Sequence, residues 1–167
     1  YLVDRPDSSQ SFLFASQIAK PKANPDEIAT EVMNDIIGGM STSRINMNLR
    51  EDKHWSYGAY TGLVSARGQR PFYMLTSVQT DKTSESIAEV MQELRAYISN
   101  APATAEELHK TVTNNTLSLS GTWESAGAVL GSISQIVQYG LPDDYFATYA
   151  TEMAALELGE VQRIAAK

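Results

Sequence analysis

Gly38-Gly39-Met40-Ser41-Thr42-Ser43-Arg44, followed by Leu49-Arg50-Glu51-Asp52-Lys53-His54-Trp55-Ser56-Tyr57-Gly58, is the stretch on which the fold turns. A glycine pair closes one apolar-periodic segment, a short amphipathic segment comes next, and an aromatic, glycine-bearing run opens at Tyr57. Ser41 is placed to cap a helix over 41–50, since a serine oxygen accepts hydrogen bonds from free first-turn N–H groups. Ile45 and Leu49 then share one helical face, with Arg50 beside it in the last turn. If the turn after the helix is tight, Arg50 leaving the helix and Tyr57 entering a strand converge on one point. A guanidinium fork and a neutral phenol donor both suit a peptide carbonyl or a carboxylate. Each residue also has a plain structural reading: a cation near a helix C-terminus complements the dipole, and a strand tyrosine packs half-buried. The spacing by itself leaves both open.

Upstream, residues 1–10 read as a linker or strand lead-in, and Ser11-Phe12-Leu13-Phe14-Ala15-Ser16-Gln17-Ile18-Ala19 reads as a buried strand bounded by Pro21. Asn24-Pro25-Asp26-Glu27 predicts a helix start, with Ile28, Val32, Met33 and Ile36 as its stripe and Gly38-Gly39 as its stop. Downstream, 57–66 and 72–79 form an antiparallel hairpin around the turn at 67–71. Gly58 and Gly62 fall on one strand face, where they leave room for an extended peptide or relieve crowding under a helix.

The remainder is helical. Ile87, Val90, Met91, Leu94 and Ile98 trace an amphipathic face that ends before Pro102. Thr104-Ala105-Glu106-Glu107 is a capping box, and its helix carries Leu108, Val112 and Leu119 before Gly121 interrupts it. A helix over 123–139 places Ala126, Leu130, Ile133 and Val137 together, and Gly140 and Pro142 close it. Asp143-Asp144 opens a helix with Phe146, Tyr149 and Met153, and 160–167 starts another. Strand, two helices, hairpin and then helices predict a two-layer α+β domain over 1–167, with helices on one face of a small antiparallel or mixed sheet.

Composition narrows the function classes. The 167 residues are 43% hydrophobic and 20% charged, which suits one globular domain with a core. A net charge of −7 without a basic stripe argues against nucleic acid. The absence of cysteine removes thiolate zinc sites and cysteine nucleophiles, and no apolar run is long enough for a membrane span. No signal peptide is evident. A chain running from Tyr1 to Lys167, inside a helix-like pattern, reads as a piece of a longer protein. His54 and His109 have no zinc-motif partners, H-x-x-E-H and H-E-x-x-H are absent, and no phosphate-loop or serine-hydrolase motif occurs.

Gly38-Gly39, Ser43-Arg44-Ile45, Leu49-Arg50-Glu51 and Tyr57-Gly58 together resemble the signature of the C-terminal-type, non-zinc domains of the insulinase/pitrilysin metallopeptidases, with Ile45 where leucine is usual. Asp4-Arg5-Pro6 with Gln10-Ser11, Pro102-Ala103-Thr104 with Glu107-Leu108, and Tyr139-Gly140-Leu141-Pro142 extend the similarity along nearly the whole chain. The resemblance implies a clamshell zinc endopeptidase whose H-x-x-E-H motif, with its zinc, lies in another domain or subunit. This segment would then bind the peptide substrate through Arg50 and Tyr57, with Tyr57 as donor to the carbonyl or oxyanion. It implies no metal in this segment and, for the parent, a bacterial periplasmic or envelope location. Relatives in respiratory complexes keep the fold without peptidase activity, so a structural subunit is the alternative, and a peptide-binding module is another.

Overall fold

The computed structural model describes residues 6–167, position 120 by its backbone alone; the lead-in segment 1–5 lies outside the described residues. Three strands, β1 (Gln10–Ala19), β2 (Ser56–Leu63) and β3 (Arg70–Gln79), form an antiparallel sheet in the order β1-β3-β2. α1 (Glu27–Asn34) runs on through a π turn (Asp35–Gly39), and α2 (Arg44–Asn46) through another (Met47–Asp52). After the hairpin come α3 (Thr83–Tyr97), α4 (Ala105–Thr122), α5 (Ala126–Tyr139), α6 (Tyr145–Ala154) and α7 (Leu158–Ala165). The protein is α+β.

One sheet face carries the core. Alternation in β2 and β3 turns Ala59, Thr61, Met74, Thr76 and Val78 inward. Ala59 and Met74 share a cluster with Val32, Ile36 and Ile37 of the first helix, Ile45 and Leu49 of the second, and Val90 of α3. Among the described residues no helix covers the opposite face. β1 therefore departs from the buried strand its apolar run predicts: Phe12, Phe14 and Ile18 are 66%, 59% and 74% exposed. An apolar run cannot show whether one face of a strand is covered or both.

The two segments that lead into β2 also differ from expectation. Gly38-Gly39 do end the first helix, but as the last two residues of a closing π turn, after which the chain leaves at Met40 in extended backbone. Gly38 is needed for close approach, because a Cβ there would sit 2.8 Å from the backbone nitrogen of Thr61 and 2.5 Å from its hydroxyl. Ser41 is not the cap of the second helix. That position is Ser43, without a side-chain cap bond, while the Ser41 carbonyl accepts from the Asn46 amide. The helix itself starts at Arg44.

Other boundaries shift by a few residues. α1 begins at Glu27 rather than Pro25, although Asn24 does organise the entry by accepting from Asp26 N at 2.9 Å. α4 opens on the predicted Thr104/Glu107 capping box and continues through Gly121. α5 starts at Ala126 under a Ser125 cap and ends at left-handed Gly140. Its apolar positions Leu130, Ile133 and Val137 share a helix as predicted, but they face outward and α5 buries no residue. α7 is a complete short helix over Leu158–Ala165, opened by a Glu157/Glu160 capping box, rather than the start of one at 160.

Arg44 shows what its triplet does. Its guanidinium is bidentate to Glu107 at 2.6 and 2.7 Å, donates to Pro102 O at 3.0 Å, and lies over the Tyr97 ring at 4.9 Å. One side chain thus joins α2, α3 and the capping box of α4. Asp26 has a comparable role at α1, where it accepts from Lys20, Arg163 and Lys167. The hydrogen bond from Lys20, then those from Arg163 and Lys167, hold its carboxyl well below the usual carboxylate range. A folded-state value below the unfolded one adds stability above the unfolded value, near 3.9, and loses it as pH falls toward the folded value. Asp26→Asn is therefore expected to lower the melting temperature at pH 7 by a few degrees. The gap from the parent chain should narrow in melts taken progressively below about pH 4.

Candidate functional site

A groove of about 550 Å³ opens where the second helix ends and β2 begins. The helix finishes in the π turn Met47–Asp52, with Leu49 fully buried and Arg50, the next residue, exposed. His54 then takes a left-handed backbone, φ 57, which few residues other than glycine adopt. Trp55 N returns to Leu49 O at 3.0 Å and Lys53 N to Asn48 O at 2.9 Å, so the helix carbonyls are satisfied as the chain reverses. His54 Nδ1 lies 3.0 Å from Arg50 O. This is the tight turn that the convergence of residues 50 and 57 requires.

The turn is anchored against α3. Asn48 Nδ2 donates to Glu89 at 3.0 Å and to Glu93 at 2.9 Å, and Lys53 pairs with Glu89 at 2.9 Å. The Asn48 hydrogen bond and Lys53 hold the Glu89 carboxyl below its ordinary range. Lys53 and Lys82 both reach Trp55, with their ammonium groups 5.5 and 5.8 Å from its ring centre.

β2 opens with a bulge that aims Tyr57. Register shifts between Ser56, opposite Val78, and Ala59, opposite Thr76. The Ser56 hydroxyl sits 2.8 Å from Thr76 Oγ1, 2.8 Å from Ser77 O and 3.0 Å from Gly58 N, and Ala59 N donates to buried Asn46 at 3.0 Å. With the extra residue held this way, Tyr57 projects from the sheet and is 89% exposed.

Arg50 and Tyr57 line this one groove, together with Ser9, Gln10, His54 and Gln79. Arg50 pairs only loosely with its neighbour Glu51, at 3.3 Å and half-exposed, an arrangement worth little energetically. An exposed fork and an exposed phenol on the rim of one open depression can both bind a carbonyl-rich ligand. Gly58 and Gly62 do not leave a vacant track. A Cβ at Gly58 would strike the Tyr60 ring, and one at Gly62 the Tyr73 hydroxyl, both at 2.7 Å. The crowding they relieve comes from tyrosines on the uncovered face rather than from a helix.

The family described as "Peptidase M16 inactive domain" matches residues 1–115. The chain belongs to that family. Solved structures share this fold along 95–99% of the chain. The peptidase M16 inactive domain from Pseudomonas fluorescens superposes with a TM-score of 0.86 at 24% identity, covering 95% of this chain and 38% of that one. The inactive peptidase domain of a zinc-protease-like protein from Bordetella parapertussis gives 0.81 at 16%, covering 99% and 89%. The periplasmic protease PqqL from Escherichia coli gives 0.77 at 12%, covering 95% and 18%. At these identities the likeness shows the fold. The chain spans 37–39% of the length of the first three structures it matches. No curated protein matches it at a significant level.

Zinc does not fit the described residues of this M16 domain. Among the described residues no three His, Cys, Asp or Glu side chains group to hold a metal, and His54 and His109 are both exposed and belong to different elements. None of its described helices is long and apolar enough to cross a membrane. His54, Gln10 and Gln79 were not legible as groove residues. A histidine in left-handed backbone carries only a weak sequence signal, and the glutamines reach the groove through strand register, which pairs Gln10 with Gln79.

Proposed function

We propose that this chain is the substrate-gripping, non-zinc half of a zinc-dependent endopeptidase, acting as one unit over 1–167. The observation that carries the reading is the shared groove: Arg50 and Tyr57 are both exposed and both line it. Tyr57 donates a hydrogen bond to the scissile carbonyl and to the oxygen as negative charge develops on it. Arg50 holds an adjacent peptide carbonyl by charge-assisted hydrogen bonds. The metal, which supplies the activated nucleophile in such enzymes, resides in a partner domain or subunit. By itself this segment is inactive. The parent sits in a bacterial periplasm or envelope, a placement supported only by the periplasmic neighbour of the same fold.

The test is kinetic and uses the assembled peptidase. Arg50→Ala raises KM for a peptide substrate about ten- to a hundredfold with a smaller change in kcat, as expected for a charge-assisted contact made equally in ground and transition states. Equal KM values for the two proteins would remove Arg50 from the site. An assembled protein that binds peptide but never cleaves it would favour a plain binding module.

A further inference from the structure

We propose that the uncovered face of the sheet is a platform for the apolar side chains of an extended peptide, so that the groove selects substrates by residues several positions away from the cleaved bond. This rests on the groove being the peptide site. The face is built from Phe12, Phe14 and Ile18 of β1, Tyr60 of β2, and Tyr73 and Leu75 of β3. Phe14 stacks on Tyr73, with ring centroids 6.3 Å apart and planes 17° apart. Tyr60 and Tyr73 lie over Gly58 and Gly62, which keeps both rings down on the sheet.

Three observations identify the occupant. The face is continuous with the groove, because Gln10 and Gln79 line the groove and occupy the next positions in the same rows as Phe12 and Ser77. No Asp, Glu, Lys or Arg stands at its alternating positions (12–18 of β1, 71–77 of β3, 58–62 of β2), although charged residues make up 20% of the chain. The rows place a side chain about every 7 Å, the spacing at which an extended peptide presents its own alternate residues. A second copy of this chain is a poor occupant, since each copy carries a net charge of −7 and the two repel. From Gln10 to Ile18 the platform runs about 27 Å, so it engages peptides of roughly eight residues or more.

Binding by the 167-residue chain itself tests this; a domain of the same fold, 89% covered by this chain, was crystallised separately. Two fluorescein-labelled ten-residue peptides are titrated by anisotropy, one alternating Phe or Leu with Ser, the other with Ser and Gly at every position. The apolar peptide is expected to bind at least about tenfold tighter. Phe14→Ser/Ile18→Ser should reduce it to the level of the polar peptide without moving the thermal melt. Arg50→Ala should weaken both peptides alike. Equal affinity for the two peptides, or unchanged binding by the double variant, overturns the platform; loss with Arg50→Ala in the same series would leave the groove standing. A dimer seen by sedimentation and abolished by Phe14→Ser/Ile18→Ser would overturn it in favour of a second copy.

Discussion

Tyr57→Phe in the assembled peptidase is expected to lower kcat about 10²–10³-fold while leaving zinc content and melting temperature unchanged. The phenol is 89% exposed and its hydroxyl has no hydrogen-bond partner among the described residues. Its removal therefore costs the fold nothing beyond the roughly 0.5 kcal/mol scatter of surface substitutions. The ring stays, so the groove keeps its shape. On the proposed reading, what is lost is one donor at the oxygen that gains charge, and such donors contribute about 3–4 kcal/mol to the transition state. KM should move little, because the neutral carbonyl of the ground state gains less from that donor than the oxyanion does. Steady-state kinetics with metal analysis distinguishes the cases. A kcat within twofold of the parent would return Tyr57 to a rim residue with no chemical part.

How far the sequence reveals this site depends on the range of the interactions involved. The capping box at Thr104/Glu107 and the glycine close at Gly140 are set by neighbours within four residues, and both were readable. A helix after the hairpin was readable too, but of its expected apolar face Ile87, Met91 and Ile98 are exposed and only Val90 is fully buried. The α+β order was readable for the same reason. The covering of faces was not. β1 and α5 carry apolar patterns that look like core, yet Phe14, Ile18, Leu130 and Val137 face outward, because a pattern records a preference and not the presence of a partner. The bulge that aims Tyr57 depends on hydroxyls twenty residues apart, Ser56 and Thr76, and on Asn46 reaching Ala59. Nothing local announces it. Arg44 makes the point in reverse: it stands in the signature beside Arg50, but its partners at 101–107 make it a structural clamp.

Arg70→Met is expected to be the most destabilising single change near the hairpin, by about 3 kcal/mol, toward the lower end of what breaking a buried ion pair costs. Arg70 and Glu27 have 1% and 4% of their side-chain surface exposed, and the guanidinium also donates to Lys20 O at 2.8 Å. Removing the guanidinium leaves the Glu27 carboxylate buried, and an uncompensated buried charge is the main cost. It is not wholly uncompensated, since Lys22 stays 3.1 Å away, which is why the lower end applies. Glu27→Leu in the same chain removes the stranded charge, and Lys22 keeps Glu31, itself held by the Tyr149 hydroxyl at 2.9 Å. The double variant should then recover about half of the loss or more, as buried pairs exchanged for apolar side chains often do. Urea unfolding of the four proteins gives the coupling directly. If the double variant is as unstable as the sum of the singles, the cost lies in packing around Arg70 and the lost bond to Lys20 O, and the ion pair contributes little.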